Sequence, residues 1–149
     1  KNFFKRLGPE AISSDFNLKN IKNKFSNKKK NIKNFLLDQN FVSGIGNIYA
    51  NEILFCCKIN PFKIARNITY KEINKLVKYS KLILNLAIKY GGSSIRDFKN
   101  TKGVTGLFQN EFKVYGKENK NCSRKNCQGK ISKFFISNRS TFFCNLCQK

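Results

Sequence analysis

The sequence contains no histidine, and this absence limits the chemistry that the chain can perform. Serine–histidine and cysteine–histidine nucleophilic catalysis both need an imidazole as the base. Zinc sites of the mixed cysteine–histidine type are excluded for the same reason. Any catalysis or metal binding in this chain must therefore use other groups.

Methionine is also absent, and long apolar runs are missing. A segment without methionine holds no translation start, which predicts that it is cut from a longer chain. No stretch approaches the ~18 apolar residues of a membrane span, and no signal-peptide pattern is present. These absences predict a soluble intracellular protein with no membrane partner.

Acidic residues are scarce. The sequence has 30 Lys and Arg against 8 Asp and Glu, a net charge of +22 over 149 residues. So strong a positive balance favours a polyanionic partner, most simply nucleic acid. An AT-rich genome would also raise the lysine and asparagine content, and we assign part of the charge to that bias. With 40% hydrophobic residues, the chain can bury one modest core and a small satellite.

The stretch from Leu36 to Glu52 carries the first functional pattern. Gly44 and Gly46 place a tight turn where positive φ is cheap, and Asn47 follows as a predicted N-cap of the next helix. Such a turn leaves backbone N–H groups and a helix N-terminus facing outward, which is a seat for a phosphate. The alternative is that these residues only turn and cap a corner.

A helix before this turn is predicted to direct Ile32, Phe35 and Leu36 inward. Lys33 lies off that apolar stripe, and we expect it to point to solvent or to a ligand. A weak helix is predicted from about Leu18 to Phe25.

Two further boundaries are visible downstream. Asn60 and Pro61 are predicted to end the helix that follows the glycine turn. Thr69 and Glu72 form a capping box for the longest helix, which Gly91 and Gly92 should stop.

A polar, glycine-punctuated loop follows that helix, and the sequence predicts that it is mobile. Beside a ligand seat, such a loop is more often a lid than a linker. It consists of Thr101, Lys102, Gly103, Val104, Thr105 and Gly106.

Four cysteines near the end of the chain have the spacing of two metal-binding knuckles. Cys122, Cys127, Cys144 and Cys147 form C-x4-C and C-x2-C motifs, joined by a segment rich in strand formers. The pattern predicts one tetrahedral structural zinc ion, which would supply much of the folding free energy of so short a segment. Two disulfides are the disfavoured alternative, since no signal peptide is present.

The other two cysteines and one arginine complete the candidate residues. Cys56 and Cys57 lie in an apolar helix outside the knuckle spacing and are expected to be small buried hydrophobes. Arg139 falls in the segment from Ser137 to Thr141, where a hairpin between the knuckles should turn. A guanidinium at such a tip can bind a phosphate through paired donors.

Five runs of residues together resemble bacterial formamidopyrimidine-DNA glycosylase. They are LGPE at Leu7, IKNFLLDQNFVSGIGNIYANE from Ile32, GGSSIRDF at Gly91, VYGK at Val114 and RSTFFCNLCQK from Arg139. The resemblance covers nearly all of the chain and concerns only the C-terminal half of the family. One departure is C-x4-C where the family commonly has C-x2-C, which enlarges a knuckle without removing a ligand.

The resemblance implies a mainly α fold: a helix-two-turns-helix DNA-binding domain followed by a small β-hairpin zinc finger with four cysteine ligands. It divides the chain into a linker remnant (1–14), a helix-two-turns-helix domain with a lesion-capping loop (15–116) and the zinc finger (117–149). It also implies a DNA-binding role for Asn47, Arg139, Lys33 and Tyr115, with the first two gripping phosphates that flank the damaged nucleotide. The loop of residues 101–106 would close over an everted oxidised purine.

The implied activity of the whole protein is excision of oxidised purines (formamidopyrimidine, 8-oxoguanine) from double-stranded DNA, followed by cleavage at the abasic site. In the family an N-terminal proline amine is the nucleophile. Lys1 does not replace it, so we expect the nucleophile upstream, no catalytic residue in this fragment and no activity of the fragment alone. The implied setting is a monomer in the bacterial cytoplasm, associated with the nucleoid.

Three other functions fit parts of the pattern. The first is an endonuclease VIII-type glycosylase for oxidised pyrimidines, although Asn47 to Ala50 favours the formamidopyrimidine enzyme. The second is a non-catalytic zinc-finger DNA-binding module, and the third is a ribosome-associated basic zinc protein.

Overall fold

The computed structural model describes residues 7–89 and 112–149. This part of the chain contains four α-helices and one antiparallel hairpin. The predicted helix stop at Gly91 and Gly92 and the predicted loop from Thr101 to Gly106 lie outside the described residues. The elements are α1 (Leu18–Phe25), α2 (Ile32–Leu37), α3 (Asn47–Cys57), a 3-10 turn (Ala65–Asn67), α4 (Tyr70–Lys89), β1 (Ile131–Ile136) and β2 (Arg139–Cys144).

Asparagine side chains begin the first two helices. The Asn17 side chain accepts from the amide of Asn20 (3.0 Å), and the Asn31 side chain accepts from the amide of Asn34 (2.8 Å). Each bond satisfies one backbone donor that has no partner inside its helix. The predicted position of α1 is confirmed. The predicted inward face of α2 is confirmed too, because Ile32, Phe35 and Leu36 are all buried.

Helix α3 begins differently from the prediction. Gly46 is its N-cap, Asn47 is its first residue, and no side chain caps it. The predicted N-cap role of Asn47 is therefore wrong. Its side-chain amide instead donates to the carbonyl of Ser140 (3.1 Å), far along the chain. The helix ends at Cys57 with Lys58 in the left-handed region (φ 60°), before the predicted stop at Asn60.

The capping box of α4 is confirmed. The amide of Glu72 donates to Thr69 Oγ1 (3.1 Å), and the amide of Thr69 donates to Glu72 Oε1 (2.9 Å). The Glu72 carboxylate also pairs with the ammonium of Lys63 at 2.9 Å. One carboxylate thus begins the longest helix and ties it to the turn after α3. Within the described residues, no helix has the length and apolarity to cross a membrane.

The apolar residues form two clusters, as the composition predicts. The larger lies among the four helices and includes a group of packed rings, Phe16, Phe25, Phe35 and Phe41. The smaller lies beneath the hairpin, where Phe142 of β2 packs with other buried residues. Those residues are Phe55, Val114, Cys122, Ile131 and Cys144.

A buried carboxylate connects the two parts. Glu52 of α3 accepts hydrogen bonds from the amides of Lys113 (2.7 Å), Val114 (3.0 Å) and Tyr115 (2.8 Å). Burial raises the pKa of Glu52, and the three amides oppose that rise. Glu52 thereby holds the backbone of Tyr115, one of the candidate DNA-binding residues.

The hairpin turns through two residues with positive φ, Ser137 (50°) and Asn138 (64°). Turns of this kind match the twist of the flanking strands. Arg139 pairs with Ile136 directly after the turn. It is therefore the first residue of β2, next to the predicted tip, and its side chain is exposed.

Candidate nucleic-acid interface and metal centre

Three side chains from the helical part converge on one backbone oxygen of the hairpin. The carbonyl of Ser140 accepts from Lys33 Nζ (2.9 Å), Asn47 Nδ2 (3.1 Å) and Asn51 Nδ2 (3.4 Å). Lys33 also donates to the hydroxyl of Thr141 (2.6 Å). The structure thereby brings α2, the N-terminus of α3 and the start of β2 to one point, and three of the predicted residues meet there: Lys33, Asn47 and, next to Ser140, Arg139.

Asn51 is a part of this junction that the sequence analysis missed. Its side-chain oxygen accepts from the amide of Phe142 (2.7 Å), and its nitrogen also donates to the carbonyl of Asn47 (2.8 Å). The residue is buried at 1% exposure. A buried amide must have partners, so an asparagine between Ala50 and Ile53 in an apolar helix was the signal that could have revealed it.

Lys33 does not point to solvent, and that prediction is wrong. Its side chain is fully buried at 0% exposure. The helical pattern considered only the core beneath α2, whereas β2 covers the other face of this helix. Burial and, secondarily, the charge of Arg139 lower the pKa of Lys33 to about 8.

Most of the Asn47 side-chain amide is engaged or buried, which leaves at most one of its two N–H groups for a ligand. The residue is half-buried, its nitrogen is engaged by Ser140, and its buried Oδ1 has no hydrogen-bond partner in the described part of the chain. The first backbone N–H groups of a helix have no partner within it and attract anions. The α3 N-terminus, which follows the exposed Gly46, therefore adds backbone donors close to Ser140, the residue that follows Arg139.

Tyr115 contacts β2 at Phe142, away from the hydrogen bonds to the Ser140 carbonyl. Its ring packs edge-on against Phe142, with 4.9 Å between the ring centroids, and its backbone is held by Glu52. Tyr115 is half-buried, so part of its ring reaches the surface. Tyr115 thus meets the same strand as the Ser140 junction, through the residue next to Thr141.

The four knuckle cysteines form a compact cluster. Their Sγ atoms all lie within 4.8 Å of one another, with Cys122 to Cys147 at 3.8 Å and Cys127 to Cys144 at 3.7 Å. A disulfide has sulfurs about 2.05 Å apart. A tetrahedral ion with bonds of about 2.3 Å to sulfur has edges of about 3.8 Å. The cluster fits a single tetrahedral metal ion and does not fit two disulfides.

The residues around the cysteine cluster are in close contact with its sulfur atoms. A Cβ on Gly129 would lie 2.6 Å from Cys144 Sγ, so only glycine fits there. Arg124, which the sequence analysis did not single out, donates to Cys147 Sγ (3.0 Å) and to the carbonyl of Phe55 (2.7 Å). Its charge offsets that of the thiolates and its second bond ties the cluster to α3.

Gln148 makes a second tie between the cluster and the helical part. Its side-chain oxygen accepts from the amide of Cys144 (2.8 Å), and its nitrogen donates to the carbonyl of Ile59 (3.0 Å). Of the remaining cysteines, Cys57 is buried and Cys56 is half-buried. Neither belongs to the cluster, as predicted.

Comparison with known proteins identifies a family. Residues 7–99 match the family described as the formamidopyrimidine-DNA glycosylase H2TH domain. The formamidopyrimidine-DNA glycosylase of Histophilus somni (strain 2336) is 43% identical over 148 residues, which are 99% of this chain and 54% of that protein. The enzyme of the same name from a Wolbachia sp. of Drosophila simulans is 43% identical over 147 residues, which are 99% of this chain and 54% of that protein. The chain thus spans about half the length of the curated relatives it matches.

Solved structures agree with this match. The Lactococcus lactis formamidopyrimidine-DNA glycosylase bound to DNA with an abasic site has a TM-score of 0.85 and 40% identity. It covers 99% of this chain, which covers 52% of it. The same enzyme with DNA containing FAPY-dG has a TM-score of 0.85 and 41% identity, over 98% of this chain and 52% of that one.

Raising the pH should favour the native chain over a Lys33→Met variant. The pKa of Lys33 is about 8 in the folded chain against an ordinary value of 10.5. Between these values the unfolded state binds more protons, so the free energy of unfolding of the native chain gains with pH. Melting temperatures should be measured from pH 7 to pH 10 for both proteins. Above pH 8 the melting temperature of the native chain should rise relative to that of Lys33→Met. Lys29→Met, at an exposed lysine, is the control for the loss of one charge. A native–variant difference that stays constant over this range would contradict the account.

Proposed function

This chain belongs to the formamidopyrimidine-DNA glycosylase H2TH family, and from that premise we propose that it is the DNA-gripping part of a base-excision-repair glycosylase. The observation that carries the proposal is the junction at Ser140. It brings the N-terminus of α3 and Asn47 to Ser140, the residue that follows Arg139, and helix N-termini and guanidinium groups are both donors that phosphates bind. The net charge of +22 supplies the long-range attraction to DNA.

We propose duplex DNA with an oxidised purine or an abasic site as the partner. Support comes from the relatives' name and from solved complexes of similar proteins with abasic-site and FAPY-dG DNA. In this proposal Arg139 and Asn47 hold phosphates on either side of the lesion, and Tyr115 adds a third contact. Lys33 acts indirectly, since its ammonium fixes the backbone of Ser140 beside Arg139. The loop of residues 101–106, outside the described part, is proposed as the lesion cap on the resemblance alone.

Zinc is the ion that we propose for the cysteine cluster. Four thiolates at tetrahedral spacing are the ligand set of structural zinc sites, which leave no open position for a substrate. When bound, the ion would supply no reaction chemistry and would hold both knuckles together. Cys122, Cys127, Cys144 and Cys147 would all be ligands, so the finger (117–149) would be a metal-held unit docked on the helix-two-turns-helix domain (15–116).

Lys33 is not the nucleophile in this proposal, although its lowered pKa would suit an amine that attacks a sugar carbon. Its ammonium is fully buried and is held by Ser140 and Thr141. Lyase chemistry requires an unprotonated amine in reach of C1′ of the damaged nucleotide. We place that amine upstream of Lys1, as the family's N-terminal proline. The function of this chain is then to hold the bent strand while the upstream half performs the chemistry.

An Arg139→Ala variant should bind DNA with an abasic site more weakly and with a smaller salt dependence. One lost phosphate contact lowers the slope of log K against log salt by about 0.9. Fluorescence anisotropy of a labelled duplex at several salt concentrations measures both quantities. Lys125→Ala, at an exposed cation in the first knuckle, is the matched control. Unchanged affinity of Arg139→Ala at every salt concentration would show that Arg139 does not bind a phosphate.

Borohydride trapping on abasic-site DNA tests the division of labour. Residues 1–149 alone should bind the DNA and form no covalent adduct, whereas a chain extended upstream should be trapped. An efficient adduct with residues 1–149 would contradict the upstream nucleophile, and Lys33→Met would then show whether Lys33 forms it. Absence of DNA binding by both chains would refute the proposed function itself.

A further inference from the structure

The chain segment that precedes α1 is bound to the glycine turn that leads into α3. The amide of Ser43 donates to the carbonyl of Pro9 (2.9 Å), and the amide of Ala11 donates to the carbonyl of Ser43 (3.2 Å). Glu10 and Ser43 form a parallel β-bridge. Residues 8–13 therefore lie against the domain as a short added strand, although they fall within the predicted linker remnant.

Gly8 brings this segment into very close contact with the turn. Its amide donates to the carbonyl of Gln39 (2.8 Å), and its carbonyl accepts from the hydroxyl of Ser43 (3.1 Å). A Cβ at Gly8 would lie 2.2 Å from the carbonyl oxygen of Phe41. Only a residue without a side chain permits so close an approach of two backbones. A side chain at residue 8 would push the segment away from the turn.

Lys81 of α4 holds the other end of the segment. Its ammonium donates to the carbonyl of Ala11 (3.1 Å) and to the carbonyl of Ser13, and it lies 5.7 Å from the centre of the Phe16 ring. Ala11 and Phe16 are both buried. Hydrogen bonds from a charged donor are stronger than those between neutral groups. The segment is thus fixed at two places, to the turn by Gly8 and to α4 by Lys81.

The turn that holds the segment also leads to the proposed phosphate contacts. Gln39, whose carbonyl accepts from Gly8, uses its side-chain oxygen to accept from the amide of Gly44 (3.2 Å). Gly46 is the N-cap of α3, and Asn47 is the first residue of that helix. A short series of contacts therefore joins the segment before α1 to the α3 N-terminus.

The proposed function requires two groups to be held in a fixed relation. One is the upstream nucleophile, and the other is the set of phosphate contacts that hold the damaged strand. Reaction rates depend steeply on such placement, since a displacement of about 1 Å can cost about 100-fold. A chain pinned to the domain leaves the upstream half less freedom to move than a flexible connection would.

We propose that residues 8–13 are a rigid joint that sets the position of the upstream half relative to the phosphate contacts, and that Lys81 is a positioning residue of this joint. The inference rests on the proposed function, because it needs a nucleophile upstream. In this proposal Lys81 touches neither the DNA nor the reacting atoms. Loosening the joint should therefore slow the reaction of bound DNA much more than it weakens binding.

Single-turnover cleavage of abasic-site DNA by the chain extended upstream measures the reaction of bound DNA. With protein in saturating excess, Lys81→Met should lower the rate by roughly 10- to 100-fold and leave the affinity nearly unchanged. Lys81→Arg, which keeps a cationic donor, should retain most of the rate. Lys63→Met is the matched control, because Lys63 is a half-buried lysine that bonds to Glu72 and not to the joint. It should keep the native rate.

Amide hydrogen exchange in residues 1–149 reports on the joint directly. The amides of Gly8, Ala11 and Ser43 should be protected in the native chain, since each donates a hydrogen bond there. Lys81→Met should speed exchange at Ala11 and Ser43, and Gly8→Ala should do the same. The amide of Glu72, in the capping box of α4, is the internal reference and should exchange as in the native chain.

The possible failures are distinguishable. If exchange shows the segment released in Lys81→Met or Gly8→Ala while the single-turnover rate of the extended chain stays native, the positioning role is refuted and the proposed function is untouched. Unprotected amides at Ala11 and Ser43 in the native chain would refute the joint itself. If the extended native chain neither binds nor cleaves abasic-site DNA, the proposed function fails and the joint loses its role with it.

Discussion

The carbonyl oxygen of Ser140 is the point on which the geometry of this protein depends. The helices fold around their own apolar core, and the hairpin is held by its cysteine cluster. At the end of the hairpin that carries Arg139, hydrogen bonds from Lys33, Asn47 and Asn51 hold the hairpin against the helices. A hydrogen bond from a charged group such as Lys33 contributes about 1.5–3 kcal/mol, and one from a neutral amide contributes about 0.5–1.5 kcal/mol. Leaving a buried donor unpaired costs about 1–3 kcal/mol. The two parts therefore take one relative position, with Ser140, the residue that follows Arg139, at the N-terminus of α3.

This junction also concentrates positive charge. Lys33 is buried close enough to Arg139 for the guanidinium to lower its pKa further. Two neighbouring cations repel each other, and an anion bound between Arg139 and the α3 N-terminus would relieve that repulsion. A phosphate would thus stabilise the charged form of Lys33 as well as satisfy Arg139. Stability and anion binding would therefore be coupled. Lys33 joins the hairpin to α2, and its charged form is the one that a bound anion would stabilise.

The sequence predicted the features that local patterns encode. The Thr69 and Glu72 capping box and the spacing of the four cysteines each depend on residues within one short segment, or on two such segments. Prediction from the sequence failed where hydrogen-bond partners lie far apart along the chain. Lys33 and Ser140 are 107 positions apart, so no helical periodicity could show that β2 covers Lys33. The same carbonyl redirects the Asn47 amide away from its expected cap. Asn51 acquires its role only once the hairpin is docked, and Glu52 acquires its role only once residues 113–115 lie against α3.

The central claim is that a metal-held hairpin completes the DNA grip. The most direct test follows zinc content, helix content by circular dichroism and affinity for abasic-site DNA as a chelator removes the metal. The account predicts one zinc ion per chain and a loss of affinity in proportion to the metal removed, while most helix signal remains because the helical core is separate from the cluster. Full affinity after complete metal removal would contradict it.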